Sequence, residues 1–327
     1  MGHGNYSHAA HAALLADRAS LSAEEVFRQT GCHPLMNPRG LTVRESRDSA
    51  DHPRALPIAF ALDVTGSMGD IPRALAQRDL PQFMRLLQAC AIEDPQVLFM
   101  AIGDATSDNA PLQVGQFEST AELIDQWLTW SYLEGGGGGT GSESYELAFY
   151  LLARHTDTDS WVQRRHRGYM FMTGDELPYP AVSRHQVGTL LGDQLDEDIP
   201  VEEAIAAAAE QYHLFFLIPD LQRRQRCEDR WRDLLGDHVI CMESPDDTCY
   251  VAAALVGLTE GRLPDLDAAA RALASQGLAR DRVSAVVRAL RPYAALLRPG
   301  TVGLPLRPGA RPAAAPATGG WWKRLLG

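Results

Sequence analysis

Lysine is all but missing from this sequence: Lys323 is the single one, and the other basic residues are arginine. Acidic residues outnumber basic ones 42 to 30 over 327 residues, giving a formal charge of −12. That balance excludes nucleic acid as a main partner, because phosphate binding needs clustered Lys and Arg. No CxxC pair occurs, and the five cysteines (Cys32, Cys90, Cys227, Cys241 and Cys249) have no regular spacing. A structural zinc site is therefore not expected; His238 and Cys241 lie three apart but lack a second ligand pair. Cys90 and Cys241 sit in apolar stretches and read as core. No stretch reaches 18 apolar residues, so no membrane-spanning helix is expected. The chain does not open on a basic segment followed by an apolar run, which predicts a reduced, cytoplasmic protein.

What is present is enough for a full core, with 45% hydrophobic residues and a length of one large or two ordinary domains. The most informative stretch is Ile58 to Asp70, IAFALDVTGSMGD. Its continuous apolar run is the pattern of a strand buried on both faces in a parallel sheet. The run ends at Asp63, and Thr65 and Ser67 follow at two-residue spacing, with Gly66 and Gly69 supplying a sharp turn into a helix. One carboxylate and two hydroxyls in a bent loop can aim at a common point beyond the sheet edge. Oxygen-only donors suit a hard cation such as Mg²⁺.

From Ile58 to about Ser244 strands and helices alternate, implying an α/β domain with a mainly parallel, six-stranded sheet flanked by helices. The strands fall at 58–63, 97–103, 112–118, 168–173, 213–218 and 238–242. Helices are predicted over 71–91, 120–131, 143–154, 185–192, 201–211 and 221–235. Pro81 should interrupt the first helix, with Asp79 recapping it. Ligands of such sheets bind outside the carboxyl ends of the strands, and three strands end there in acids: Asp63, Asp104 and Asp175.

Residues 1–56 form an N-terminal extension: helical from His8 to Arg28 with a capping box at Ser22 and Glu25, broken by Gly31, Pro34 and Pro38, and with an edge strand over 41–44. Residues 246–298 read as a helical C-terminal segment whose apolar stripes pack on the sheet. Residues 299–320 form a Pro/Gly/Ala-rich linker, and 321–327 a tail in which Trp321 and Trp322 precede Lys323 and Arg324. That tail reads as a docking peptide or as an ordinary terminus folded back on the domain, with weak contact to a membrane surface as a third alternative and no stable membrane association expected.

The Asp63-Val-Thr65-Gly-Ser67 element resembles the D-x-[ST]-x-S motif that begins the metal-ion-dependent adhesion site (MIDAS) of von Willebrand factor A domains. The likeness covers roughly residues 55–245 and implies a Rossmann-like fold for the 57–245 domain. It also implies two further ligands. One comes from a loop before the third major helix, here Gly135 to Ser144, where Thr140 best fits and Ser142 and Ser144 are alternatives. The other follows the fourth strand, here Asp175 in MFMTGDE. The implied site is Asp63, Thr65, Ser67, Thr140 and Asp175 around Mg²⁺ or Mn²⁺, with an outward position left for an Asp or Glu of a partner protein. The wording of the sequence is similar to a bacterial cytoplasmic branch, which implies a MoxR-type AAA+ ATPase or a stress or defence assembly as partner.

The rival reading is an enzyme, a serine hydrolase or phosphatase using the Asp63-Thr65-Ser67 loop. Thr65 to Gly69 nearly matches a G-x-S-x-G nucleophile elbow but lacks the first glycine, and His213 and His238 lie in or beside strands. A phosphatase of the haloacid-dehalogenase type would need a second aspartate where Thr65 stands. Asp104 and Asp108 read as a solvated turn, with tuning of the site or a second cation as the alternative. Glu143 reads as helix N-terminal charge rather than a ligand. The expectation is binding, not catalysis.

Overall fold

The computed structural model describes residues 4–66, 68, 70–135, 139, 141–298 and 302–306. Ser67, Thr140, Trp321 and Trp322, and nearly all of the linker and tail, lie outside the described residues.

The extension contributes α1 (His8–Asp17), α2 (Ala23–Val26) and β1 (Arg44–Ser46). Ser7 caps α1, and Ser22 and Glu25 form the reciprocal capping box at α2. The edge strand expected over 41–44 is displaced. β1 instead pairs in parallel with Thr156–Thr158, apart from the main sheet, and the Arg44 amide donates to the His155 carbonyl at 2.7 Å. Arg47 fastens this ribbon through Glu45, Asp157 and Asp159, and Asp48 pairs with Arg164.

β2 (Leu56–Asp63) leads into α3 (Asp70–Ala74), a π-helical turn (Leu75–Asp79) and α4 (Leu80–Ala89). The interruption expected at Pro81 is therefore a widened turn. Pro81 has no N–H to donate and its ring crowds the turn before it, and the widened turn accommodates both. Asp79 does not recap it; its carboxylate binds Arg78. β3 (Pro95–Ile102), β4 (Leu112–Val114), α5 (Ala121–Thr129), the short β5 (Ser142–Glu143) and α6 (Glu146–Arg154) follow. Next come β6 (Thr156–Thr158), α7 (Asp159–Arg164), β7 (Gly168–Thr173), β8 (Leu177–Pro178), β9 (Ala181–Val182) and α8 (Arg184–Leu190). Then β10 (Ile199–Pro200), α9 (Val201–Gln211), β11 (Tyr212–Ile218), α10 (Leu221–Leu235) and β12 (Val239–Cys241) precede α11 (Thr248–Thr259), α12 (Leu266–Ser275) and α13 (Arg280–Ala294).

The main sheet has six strands in the order β4-β3-β2-β7-β11-β12. All pairs are parallel except β3 with β4. This is a mixed α/β, Rossmann-like architecture. The chain builds outward from β2 on one side, then returns to β7 on the other, so the topological switch lies beside β2. The carboxyl ends of β2, β3 and β7 are neighbours there, which is where an open α/β sheet offers a crevice.

Strand alternation divides the core. Ile58, Phe60 and Leu62 of β2 face one layer, with α4 and α11–α13; Ala59 and Ala61 face the other, with α6, α9 and α10. α11 departs from the expected one-sided stripe. Every residue from Thr248 to Thr259 is buried, because α4, α12 and α13 enclose it. The helical segment thus shares one core with the sheet. Among the described residues no helix is long and apolar enough to cross a membrane.

Candidate metal centre

Asp63 closes β2 with its side chain fully buried. Its Oδ1 accepts the Thr65 backbone N–H at 2.9 Å and the Thr65 hydroxyl at 2.6 Å. Its Oδ2 accepts the Tyr145 hydroxyl at 2.6 Å. A hydroxyl has one donor and two lone pairs, so a Thr65 that spends its proton on Asp63 keeps oxygen lone pairs for another ligand. Burial, and after its hydrogen bonds the charge of Asp175, push the Asp63 carboxyl up to about 6. Among the described residues no cationic side chain pairs with it.

Asp175 is also fully buried, two residues beyond the end of β7, the strand next to β2. Arg226 Nη1 lies 3.4 Å from its Oδ2 and Arg223 Nε 3.7 Å. Both arginines come from the start of α10, and Arg223 Nη1 also touches Met68 Sδ at 2.9 Å. Trp231 anchors this loop: its indole N–H donates to the Glu176 carbonyl at 2.9 Å, while its ring stacks on Phe216 with centroids 3.8 Å apart.

The described end of the glycine-rich segment, Gly141 to Ser144, reaches the same place. Its described flank is tied down on both sides: Leu177 N–H donates to Gly141 O at 3.2 Å, and Ser144 N–H donates to Gly103 O at 3.1 Å. β5 also pairs with β8 in parallel. Three loops, following β2, β3 and β7, therefore meet this segment at one edge of the sheet. Thr140, like Ser67, lies outside the described residues, so of the five expected ligands Asp63, Thr65 and Asp175 are placed. Ser144, an alternative to Thr140, accepts the Ala105 N–H at its hydroxyl oxygen at 2.9 Å, which leaves that oxygen one lone pair.

The loop after β3 repeats the Asp63 arrangement. Asp104 Oδ1 accepts Thr106 N–H at 2.8 Å, Thr106 Oγ1 at 2.7 Å and Tyr179 Oη at 3.0 Å. Asp108 closes this turn by accepting the Asp104 N–H at 2.7 Å. The expected solvated turn is instead a buried, bonded one at Asp104. Glu143, in β5, is also buried, and burial and then the charges of Asp63, Asp108, Glu176 and Asp104 push its carboxyl up to about 9.

No family model matches the sequence, and no curated protein matches it. Solved structures do show similarity. One is proximal thread matrix protein 1 from the mussel byssus, at 10% identity and a TM-score of 0.37 over 61% of this chain and 46% of that one. Another structure of that mussel protein, described as having a zinc-occupied MIDAS motif, gives 8% identity and 0.34 over 64% and 48%. The pilus adhesin SpaC from Lactobacillus rhamnosus GG, in its open conformation, gives 11% and 0.38 over 62% and 29%. This chain spans under half the length of each of these proteins.

Among the described residues no three His, Cys, Asp or Glu side chains group so as to hold a metal ion. The described donors are two buried carboxylates, Asp63 and Asp175, and the Thr65 hydroxyl that Asp63 orients, an all-oxygen set of the kind a hard divalent cation takes. A hydrolytic triad is not assembled from the histidines considered above. His213 and His238 lie at the starts of β11 and β12, at the opposite edge of the sheet from Asp63. Sequence reasoning missed Tyr145 as the residue that orients Asp63. Its only signal is a tyrosine in the first turn of a helix that opens beside the glycine loop.

Proposed function

We propose that this protein is a metal-dependent protein-binding module. A divalent cation, Mg²⁺ or Mn²⁺, is held by Asp63, Thr65, Ser67, Thr140 and Asp175, and its outward coordination position accepts an Asp or Glu of a partner protein. The observation that supports this reading is the pair of fully buried carboxylates, Asp63 and Asp175, at the switch point of the sheet. A buried carboxylate calls for a positive partner, and the arginines present reach only Asp175. Few formal negative charges in the ligand set leave the ion electrophilic toward an incoming carboxylate. The role is binding rather than turnover. A MoxR-type AAA+ ATPase is the partner class that the resemblance implies, with Trp321 and Trp322 as a second point of docking.

The test is calorimetric titration of Mg²⁺ and Mn²⁺ into the full chain and into Asp63→Ala, followed by affinity capture of partners with Mg²⁺ or EDTA. Cation binding that is lost in the variant, together with capture that needs the cation, supports the module. A wild-type chain that takes up neither cation, or capture indifferent to EDTA, overturns it. Capture by a chain lacking 319–327 separates the tail's part from the site's.

A further inference from the structure

The opposite edge of the sheet holds two buried imidazoles that the protein leaves unanswered. His238, just before β12, is 2% exposed, and neither of its ring nitrogens has a hydrogen-bond partner. His213, in β11, is 3% exposed, and its Nδ1 also lacks one. Both rings line a cavity of about 240 Å³, together with Arg167, Leu304 and Pro305. His238, Leu304 and Pro305 also border a second cavity, of about 410 Å³, whose wall includes Leu235 and Leu296. The two spaces adjoin at His238.

The segment 302–306, beyond α13, supplies part of both walls and is itself fixed. Gly303 N–H donates to the Thr259 carbonyl at 3.2 Å. Its φ is +67°, and it lies so close to β11 that an added Cβ would stand 2.4 Å from His213 Cε1. Glycine is what lets the backbone approach the ring here.

The charges around the two rings are unequal in depth. Arg167, in the loop before β7, is half-buried, and among the described residues it has no carboxylate partner, although its neighbour His166 pairs with Glu260. After burial, the Arg167 charge is what lowers the pKa of both imidazoles most. The acids along the cavities, Glu210 and Asp237, are exposed, as is Arg298, so solvent screens all three. A neutral imidazole offers one N–H and one lone pair, and a carboxylate accepts from such an N–H and from a guanidinium at once. A buried polar group without a partner carries a desolvation cost that a bound one removes. Apolar walls with a few convergent polar groups are the usual form of a small-molecule site.

We propose that this edge is a second ligand site, which takes a small carboxylate bearing an apolar chain. The carboxylate lies among Arg167, His238 and His213, and the chain runs along Leu235, Leu296 and Leu304. The site is separate from Asp63 and needs no cation.

The experiment is calorimetric titration of octanoate into the full chain, with EDTA present throughout, beside titrations of octanol and acetate. Octanoate should bind saturably, one per chain. Octanol, which lacks the charge, and acetate, which lacks the chain, should each bind about tenfold or more weakly. Arg167→Gln and His238→Leu, each shown to be folded by thermal unfolding, should weaken octanoate by about the same factor. Absence of saturable octanoate binding by the wild type, or octanol binding as tightly as octanoate, overturns the site without any variant. Undiminished octanoate affinity in either variant overturns it as well, since the acid then sits elsewhere. With EDTA present, none of these outcomes bears on cation binding at Asp63, whose failure shows in its own titration.

Discussion

The backbone of Gly174 lies against the ring of Tyr145 so closely that a Cβ at residue 174 would stand 2.7 Å from Tyr145 Cζ. The residue before Asp175 thereby sets the position of the tyrosine that holds Asp63, linking two strands' carboxylates through one aromatic ring. Gly174→Ala should push that ring aside. The expected result is a loss of about 1–3 kcal/mol of stability from overpacking, with weaker cation binding, read by urea unfolding and calorimetry. Tyr145→Phe removes only the hydroxyl and should cost about 1.5–3 kcal/mol, the range for a hydrogen bond to a charged group.

Cation binding should also be visible as stability. Because only the folded chain brings residues 63 and 175 together, Mg²⁺ at one hundred times its dissociation constant should add about 2.7 kcal/mol. Thermal unfolding in Mg²⁺ and after EDTA treatment measures the gain, and Asp63→Ala should show none.

Arg226 is 63% exposed in its side chain yet stands 3.4 Å from Asp175. Its charge opposes an arriving cation through solvent that screens it, so the penalty is modest, about 0.5–1 kcal/mol. Arg226→Ala should therefore bind Mg²⁺ a few-fold more tightly. Unchanged or weaker affinity in calorimetry contradicts that competition.

His238 sits between Phe215 and Tyr293, and both its ring nitrogens lack partners. Burial, then the charge of Arg167, lowers its pKa to about 4. Above about pH 6.5 the imidazole is neutral folded and unfolded, and its contribution is constant. As pH falls from there toward 4, the unfolded chain takes up a proton that the folded chain refuses, so stability is lost. His238→Leu should lie within about 1 kcal/mol of wild type at pH 8. The gap should then widen in the variant's favour by up to about 1.4 kcal/mol per pH unit below 6.5. Urea unfolding at pH 8, 6 and 5 checks this; a constant gap refutes it.

Much of the fold was legible because period and composition agree. Apolar runs such as Ile58–Leu62 and Gly168–Thr173 can be little else than buried parallel strands, and these strands appear with nearly the expected bounds. The capping box at Ser22 and Glu25 was readable because both its bonds are local. What escaped depends on partners distant in sequence. β1 is displaced because its partner, 156–158, lies over a hundred residues away. Tyr145 escaped because a helix start says nothing of which strand end it will face. Asp63 and Asp175 were legible as strand-terminal acids, whereas the arginines beside Asp175 belong to an amphipathic helix whose pattern shows only that they are polar.

The ribbon of β1 and β6 makes the first fifty residues a structural dependency of the sheet domain rather than an appendage. A chain begun at residue 57 would strip Asp157 and Asp159 of Arg47, leave Arg164 without Asp48, and remove the hydroxyl of Ser46 from buried Gln96. Fragments cut at the start of the sheet should therefore aggregate or degrade when expressed, and any measurement of the site belongs on a chain that keeps its N-terminal strap.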